Sequence, residues 1–354
     1  MSEKMKVLGK GTYNTVFLDN NVAVRVAKVD DYLDMLKRSQ NVVKLIDSEN
    51  ITPSIFHIIE DGKIYESLPP IFGLPKGTYF VQKIEYFAYP FDEMTMDYLF
   101  FLIWFFCATS EKFGFIHKDL KPSNILLRAY NPPAIFKFKL GERTFKFKMS
   151  KIPVVMDFDL SSTDKSEDRQ VVIGTTTYAP PETILRVLCK MPNERNDFSY
   201  DWWSLGMTIF YSFVDEEDFD FLDLNILKRY KKYNLQNFTK EGYPFGKSLI
   251  IGVLKFTLIK HALSGETMGP NYQEIFSGFY TPENISYLRV MVGQSKPFKE
   301  AVEKKIPKEY RVFLKYFLSW IPEQRNLEGD PWRFLELFYT PVKDDFEADF
   351  EYER

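Results

Sequence analysis

The chain has 354 residues, 45% of them hydrophobic and 27% charged, with a formal net charge of −3. This composition excludes disorder on a large scale, leaves room for one large domain or two lobes, and supplies no general attraction to a polyanion. The two cysteines, Cys107 and Cys189, do not support a disulfide framework or a four-ligand zinc site and fit a reducing, cytosol-like compartment.

The three histidines, His57, His117 and His261, are scattered, so a bound metal is expected on carboxylates. The start of the chain, "MSEKMKVLGKG", has no apolar signal core. The longest apolar run, residues 98–108, is about half of what a bilayer crossing needs. A soluble protein without a secretory address is expected.

In chain order, "KVLGKGTYNTVFL" (residues 6–18) and "VAVRVAK" (22–28) alternate like strands around the Asx residues Asp19, Asn20 and Asn21, the signature of a hairpin. Residues 31–47 place Leu33, Leu36, Val43 and Ile46 at helical spacing, and "TYFVQKIEYF" (78–87) reads as a further strand. The character then changes. Residues 94–113, "MTMDYLFFLIWFFCATSEKF", predict a helix apolar almost all round, and helical patterns recur at 200–214, 247–263 and 307–320. Residues 264–284 read as loops, and the acidic tail "DDFEADFEYER" is expected to fray.

Between the apolar helix and an apolar strand lies "GFIHKDLKPSNILL", residues 114–127, which sets Asp119, Lys121 and Asn124 on one short loop. Phosphoryl transfer asks for such a set: a carboxylate to orient the attacking hydroxyl, a cation for the moving charge and an amide oxygen for a metal. The stretch resembles the catalytic loop of the protein kinase superfamily, broken only by Lys118 where the family has Arg. By that resemblance Asp119 is the catalytic base, Lys121 steadies the γ-phosphate, and Asn124 binds Mg²⁺. Lys at 121 further implies Ser/Thr rather than Tyr phosphorylation.

Further segments fit the same resemblance. "VVMDFDLSS" (154–162) places Asp157 where the family's Asp-Phe-Gly carboxylate binds the metal, but Asp159 stands in place of the glycine. "LGKGTYNTVF" supplies Gly9 and Gly11 for the phosphate loop and Val16 to cover the adenine, with Asn14 where a third glycine is usual. "GTTTYAPPE" (174–182) resembles the peptide-binding segment, and "DWWSLG" (201–206) resembles the start of the central helix. In those roles Thr175 bridges Asp119 and Lys121, Asp201 holds the catalytic-loop backbone, and Glu182 pairs with Arg325. Small-molecule kinases generally lack these segments. Ser161, Ser162, Thr163 and Ser166 are candidate phosphate acceptors in the intervening loop.

The family's phosphate-holding lysine has two candidate positions here. Side chains alternate along a strand, so Ala23 and Arg25 reproduce the family's Ala-x-Lys spacing, whereas Lys28 points to the other face unless a bulge intervenes. A turn at Asp19-Asn20 sets Val16 opposite Ala23; a three-residue turn brings Lys28 into play instead. The glutamate that usually partners this cation is missing from the following helix, where Asp34 is the best-placed acid.

An insertion, residues 134–151, alternates Phe136, Phe138, Phe145 and Phe147 with basic residues around Gly141-Glu142 and predicts an amphipathic hairpin with its aromatics inward. Inward aromatics disfavour nucleic-acid stacking. The resemblance implies a bilobal α+β fold: a small antiparallel β-sheet lobe over residues 1–84, a mainly helical lobe over 85–345 and the acidic tail 346–354. It implies ATP and Mg²⁺ as cofactors and protein as substrate. The divergent details are similar to those of kinases of large DNA viruses or haspin-like branches. Two alternatives stay open: a pseudokinase scaffold, motivated by Arg25, Asn14, Asp159 and the missing glutamate, and a small-molecule kinase.

Overall fold

The alternation at the start of the chain folds as β1 (Lys6–Lys10), β2 (Asn14–Asp19) and β3 (Val22–Lys28), followed by helix α1 (Leu33–Ser48). The structure is a computed structural model, and it describes residues 5–11, 14–29, 32–163, 174–191, 197–215, 217–219, 246–338 and 350–353. Strands β4 (Ile58–Tyr65) and β5 (Tyr79–Glu85) complete an antiparallel sheet of order β1-β2-β3-β5-β4. One face of it buries Phe17, Val24, Val26 and Tyr79, with Phe72 edge-on to Phe17. The other face buries Ala27 and Phe80 against Leu36 of α1.

Gly62 in β4 lies so close to that second core that an added Cβ would fall 1.8 Å from the ring of Phe80. Gly62→Ala is therefore expected to cost roughly 1–3 kcal/mol by overpacking, read as a lower denaturant midpoint at unchanged slope.

The short strand β6 (Tyr89–Pro90) precedes α2 (Met96–Phe113), whose N-terminal amide at Tyr98 is capped by Thr95 and whose C-terminus stops at left-handed Gly114. Next come β7 (Ile125–Leu140) and β8 (Arg143–Val155), a long hairpin closed by Gly141-Glu142 with Gly141 at φ +59°. Its ladder slips between Ala129 and Ala134, where Pro132 and Pro133 offer no N–H.

The expected amphipathic hairpin is present. Phe136 pairs with Phe147 and Phe138 with Phe145, and the rings pack on α2, with Phe100 4.4 Å from Phe147 and Trp104 4.9 Å from Phe138. Its aromatic face is thus covered by Phe100, Phe101 and Trp104 rather than presented for base stacking.

The remaining α-helices among the described residues are α3 (Pro181–Leu188), α4 (Ser199–Tyr211), α5 (Gly246–Ser264), α6 (Tyr272–Ile275), α7 (Pro282–Gly293), α8 (Lys296–Lys305), α9 (Lys308–Phe317) and α10 (Pro322–Arg325). Trp202 of α4 stacks on Phe317 of α9, and Gly206 permits the approach, since a Cβ there would meet Leu318 at 2.7 Å. The stretch 264–284, expected as loop, contains α6 and the first turn of α7.

The tail also departs from expectation. Phe350–Glu353 forms β9, parallel to β7, with Glu351 alongside Lys137 and Glu353 alongside Lys139. The edge of β7 away from β8 offers backbone donors and acceptors there.

Packing divides the chain into two units, residues 1–117, 122–165 and 335–354 in one, and 118–121 and 166–334 in the other. This division does not follow the expected boundary at 84/85. The fork of Arg128 in β7 donates to both oxygens of Glu85 at 2.7 and 2.6 Å and to the carbonyls of Pro53 and Ile55. The Trp104 indole donates to the carbonyl of Ile51. These bonds tie the apolar helix and the hairpin to the first sheet. Among the described residues no helix is long and apolar enough to cross a membrane.

Candidate active site

The first unit carries the hairpin, Asn124 and Asp157. Asn20 and Asn21, both at positive φ, make the β2–β3 turn, so Asp19 faces Val22, Leu18 faces Ala23 and Val16 faces Arg25. The expected turn at Asp19-Asn20 is therefore corrected by one residue, because a two-residue turn of the favoured twist needs φ > 0 at both positions, which Asn tolerates. Face parity survives the shift. Val16, Ala23 and Arg25 share one face, and exposed Lys28 ends the strand on the other. Gly9 faces Val16 beside a bulge in β1, and the Gly11 amide donates to the Asn14 carbonyl at 2.8 Å.

Arg25 and Asp159 are both buried, and the Arg25 Nη2 donates to Asp159 Oδ2 in an ion pair. The other carboxylate oxygen, Oδ1, is buried without a hydrogen-bond partner. Asp34, the acid nominated on α1, is exposed. Sequence reasoning treated Asp159 only as a lost glycine. The signal was present in the charges: an extra carboxylate after the metal position accompanies a missing one on the helix.

Asp157 follows β8 in the left-handed region, φ +62°, so the conformation open to positive φ is used here and not at Asp159. The segment is anchored on both sides. The Met156 amide donates to the Asn124 carbonyl at 2.8 Å, and the Met156 carbonyl lies 2.8 Å from His117 Nε2. Phe158 is buried between Phe56, Phe115 and His117. Buried Asn124 offers an amide oxygen and Asp157 a carboxylate, both oxygen donors. That suits Mg²⁺, which takes one or two protein ligands and completes its shell with waters and phosphates.

Ser161, Ser162 and Thr163, considered above as phosphate acceptors, are buried, Ser161 donating to the Phe158 carbonyl and Ser162 pairing its backbone with Ile116. They are closed to a modifying enzyme, because the chain from Phe158 to Thr163 folds inward. Ser166 lies outside the described residues.

The second unit carries Asp119 and Lys121. Asp119 Oδ2 accepts from Lys121 Nζ at 2.8 Å, and Oδ1 accepts from the amide and hydroxyl of Thr175 at 2.7 and 2.8 Å. Lys121 also donates to the Thr175 hydroxyl at 2.7 Å, closing a triangle. Burial alone pushes the Asp119 carboxyl up, but the hydrogen bond and charge of Lys121 and the two bonds from Thr175 outweigh it and hold the group below the ordinary aspartate range.

A depressed carboxylate contributes stability that is complete above about pH 4, the unfolded value, and is lost as the pH falls through the folded one. Lys121→Met removes the main opposing interactions, so the acid limb of a phosphoryl-transfer pH–rate profile is expected to move to higher pH, apart from any loss in its height.

Gly174 is forced by this arrangement: a Cβ would lie 2.4 Å from the Lys118 carbonyl and 2.7 Å from Asp119 Oδ1. The loop backbone, with Lys118 at φ +70°, is held by Asp201, whose Oδ1 accepts from the Lys118 amide at 2.9 Å. Tyr200, next to it, donates no charge to the site; burial holds its hydroxyl protonated far above the usual range, within 3.3 Å of the Gly174 amide. Behind the segment, Arg325 grips both oxygens of Glu182 at 2.7 and 2.9 Å, donates through Nε to the Ser319 carbonyl and lies over the Trp203 ring.

A family model described as the protein kinase domain matches residues 2–326. The chain belongs to the protein kinase family. A probable serine/threonine-protein kinase of Dictyostelium discoideum is 27% identical over 224 residues, 59% of this chain and 46% of the relative. An Aurora kinase of Debaryomyces hansenii is 31% identical over 122 residues, 34% of this chain and 24% of the relative. The chain thus spans less than half the length of these curated kinases.

A crystal structure of a kinase domain superposes with a TM-score of 0.53 at 15% identity, covering 94% of this chain and 92% of that one, a likeness of fold. Together with the antiparallel five-stranded sheet and the helical second unit, this is the α+β protein kinase fold.

Proposed function

We propose that the protein transfers the γ-phosphoryl group of ATP, with Mg²⁺, to Ser and Thr hydroxyls of protein substrates. The observation that carries the reading is the Asp119–Thr175–Lys121 triangle, a carboxylate kept ionised beside a cation on the loop that matches the family's catalytic stretch. In this reading Asp119 orients the acceptor hydroxyl and takes its proton, and Lys121 offsets charge on the transferred group. Gly9 and Gly11, which carry no side chains, let phosphates approach the loop backbone closely, Val16 and Ala23 cover the base, and Arg25 contacts phosphate. Asn124 and Asp157 would hold Mg²⁺, which neutralises charge on the phosphates when bound.

Ser/Thr preference is supported by Lys121 with Thr175, and protein rather than small-molecule acceptors by the Gly174 to Glu182 segment fixed through Arg325. A reducing, cytosol-like setting is part of the proposal, supported by Cys107 and Cys189 not forming a disulfide. One observation favours the scaffold reading, the engagement of Arg25 by Asp159. That contact uses Nη2, and a guanidinium has further donors for phosphate.

The test pairs acceptor classes with a metal-site variant. Labelled ATP is expected to mark a generic protein acceptor and not choline or an aminoglycoside. Asp157→Asn, which tolerates the same left-handed backbone, is expected to keep its denaturation midpoint while losing the Mg²⁺-dependence of ATP affinity. Label on the small molecules alone, or Mg²⁺-dependence intact in the variant, overturns the assignment.

A further inference from the structure

We propose that Asp159 is a positioning residue for nucleotide binding: it fixes Arg25 for contact with the ATP phosphates, so that the segment carrying the metal carboxylate also anchors the phosphate cation. The inference deepens the phosphoryl-transfer reading and rests on it.

Three observations lead there. The pair is buried on both sides, Arg25 at 7% and Asp159 at 4% exposure. A buried ion pair gives little net stability over apolar residues of like size, so its presence on the strand face shared with Val16 and Ala23 calls for an orienting role. The pair is also incomplete. It runs through Nη2 and Oδ2, and Oδ1 of Asp159 is buried with no partner, an arrangement that leaves donors of the guanidinium fork for a second anion. Finally, Asp159 stands two residues after Asp157 with the ring of Phe158 locked between them by Phe56, Phe115 and His117.

The consequence concerns regulation. Among the described residues, the helix that follows β3 makes no hydrogen bond or ion pair with Arg25; its nominated acid, Asp34, is exposed. A shift of α1 therefore leaves the cation anchored, whereas a shift of the Asp157 to Asp159 segment releases metal ligand and phosphate cation together.

Calorimetric titration of the full chain with adenosine, and with ATP in the presence of Mg²⁺, tests this. Asp159→Asn and Asp159→Gly, the second restoring the family's usual glycine, are expected to weaken ATP by roughly tenfold or more, the scale of one lost charged hydrogen bond. Adenosine, which has no phosphates, is expected to stay within about twofold. Asp159→Glu keeps the charge and should retain most of the ATP preference, and in an Arg25→Met background Asp159→Asn should add nothing. The double variant also removes the buried unpaired charge that threatens folding of a single one. ATP affinity unchanged in Asp159→Asn, or adenosine and ATP weakened alike, overturns the proposal alone. Wild-type protein that binds neither ligand overturns the phosphoryl-transfer reading and the proposal with it.

Discussion

Glu182→Ala is expected to destabilise the second unit by roughly 3–5 kcal/mol, because it strands the fully buried guanidinium of Arg325 without its carboxylate. The asymmetry of the pair sharpens the expectation. Arg325 is 0% exposed and cannot turn to water, whereas the Glu182 side chain retains 17% exposure. Arg325→Met should therefore cost less than Glu182→Ala, and Glu182→Gln combined with Arg325→Met should recover part of the loss. Chemical denaturation of the four proteins checks this order. If Glu182→Ala unfolds at the wild-type midpoint, the pair is not what holds the 174–182 segment to α10. Loss of acceptor phosphorylation should accompany the loss of stability, since that segment also presents Thr175 to Asp119.

Asp119→Asn is expected to lower the rate of phosphoryl transfer roughly 10²–10⁴-fold, the span of a lost positioned base. Its amide can keep an acceptor bond from Thr175 but cannot take a proton or hold the charge of Lys121. Nucleotide affinity should change little, because the phosphate and metal contacts are assigned to Arg25, Asn124 and Asp157. A raised KM with unchanged kcat would move Asp119 from chemistry to binding. Steady-state kinetics with a saturating acceptor separate the two.

Much of this was legible before the structure, for reasons that differ by element. The apolar helix α2, the hairpins and the loop of residues 114–127 carry strong periodicity or fixed spacing, and the Asp201, Thr175 and Glu182 bonds occur between the residues that the family resemblance named. β4 went unread because it is a largely exposed strand with a polar, Gly-containing sequence, whose one tight contact, Gly62 on Phe80, is tertiary. α7 was hidden in loop-like composition although Thr281 and Pro282 are ordinary start signals, and Thr281 does cap the Asn284 amide. The tail strand depends on a partner edge more than two hundred positions away in sequence, which no local pattern encodes.

The hairpin shows a finer limit. Three consecutive Asx residues allow two turns that differ by one position, and composition does not choose between them; the backbone twist does, with Asn20 and Asn21 at positive φ. Parity was robust to that error because the pairing moved by two residues across the hairpin. The Arg25–Asp159 pair joins residues 134 positions apart, so each departure from the family pattern looked like a defect when read alone. Together they form one interaction.

The most direct measurement of the central claim is transfer of label from γ-labelled ATP with Mg²⁺ to a protein acceptor, followed by phosphoamino-acid analysis, with Asp119→Asn prepared in parallel to expose a contaminating kinase. The account predicts phosphoserine and phosphothreonine in the wild-type reaction and their near-complete loss in the variant. Equal labelling by both proteins, or no labelling by a wild-type protein that binds Mg-ATP, would contradict it.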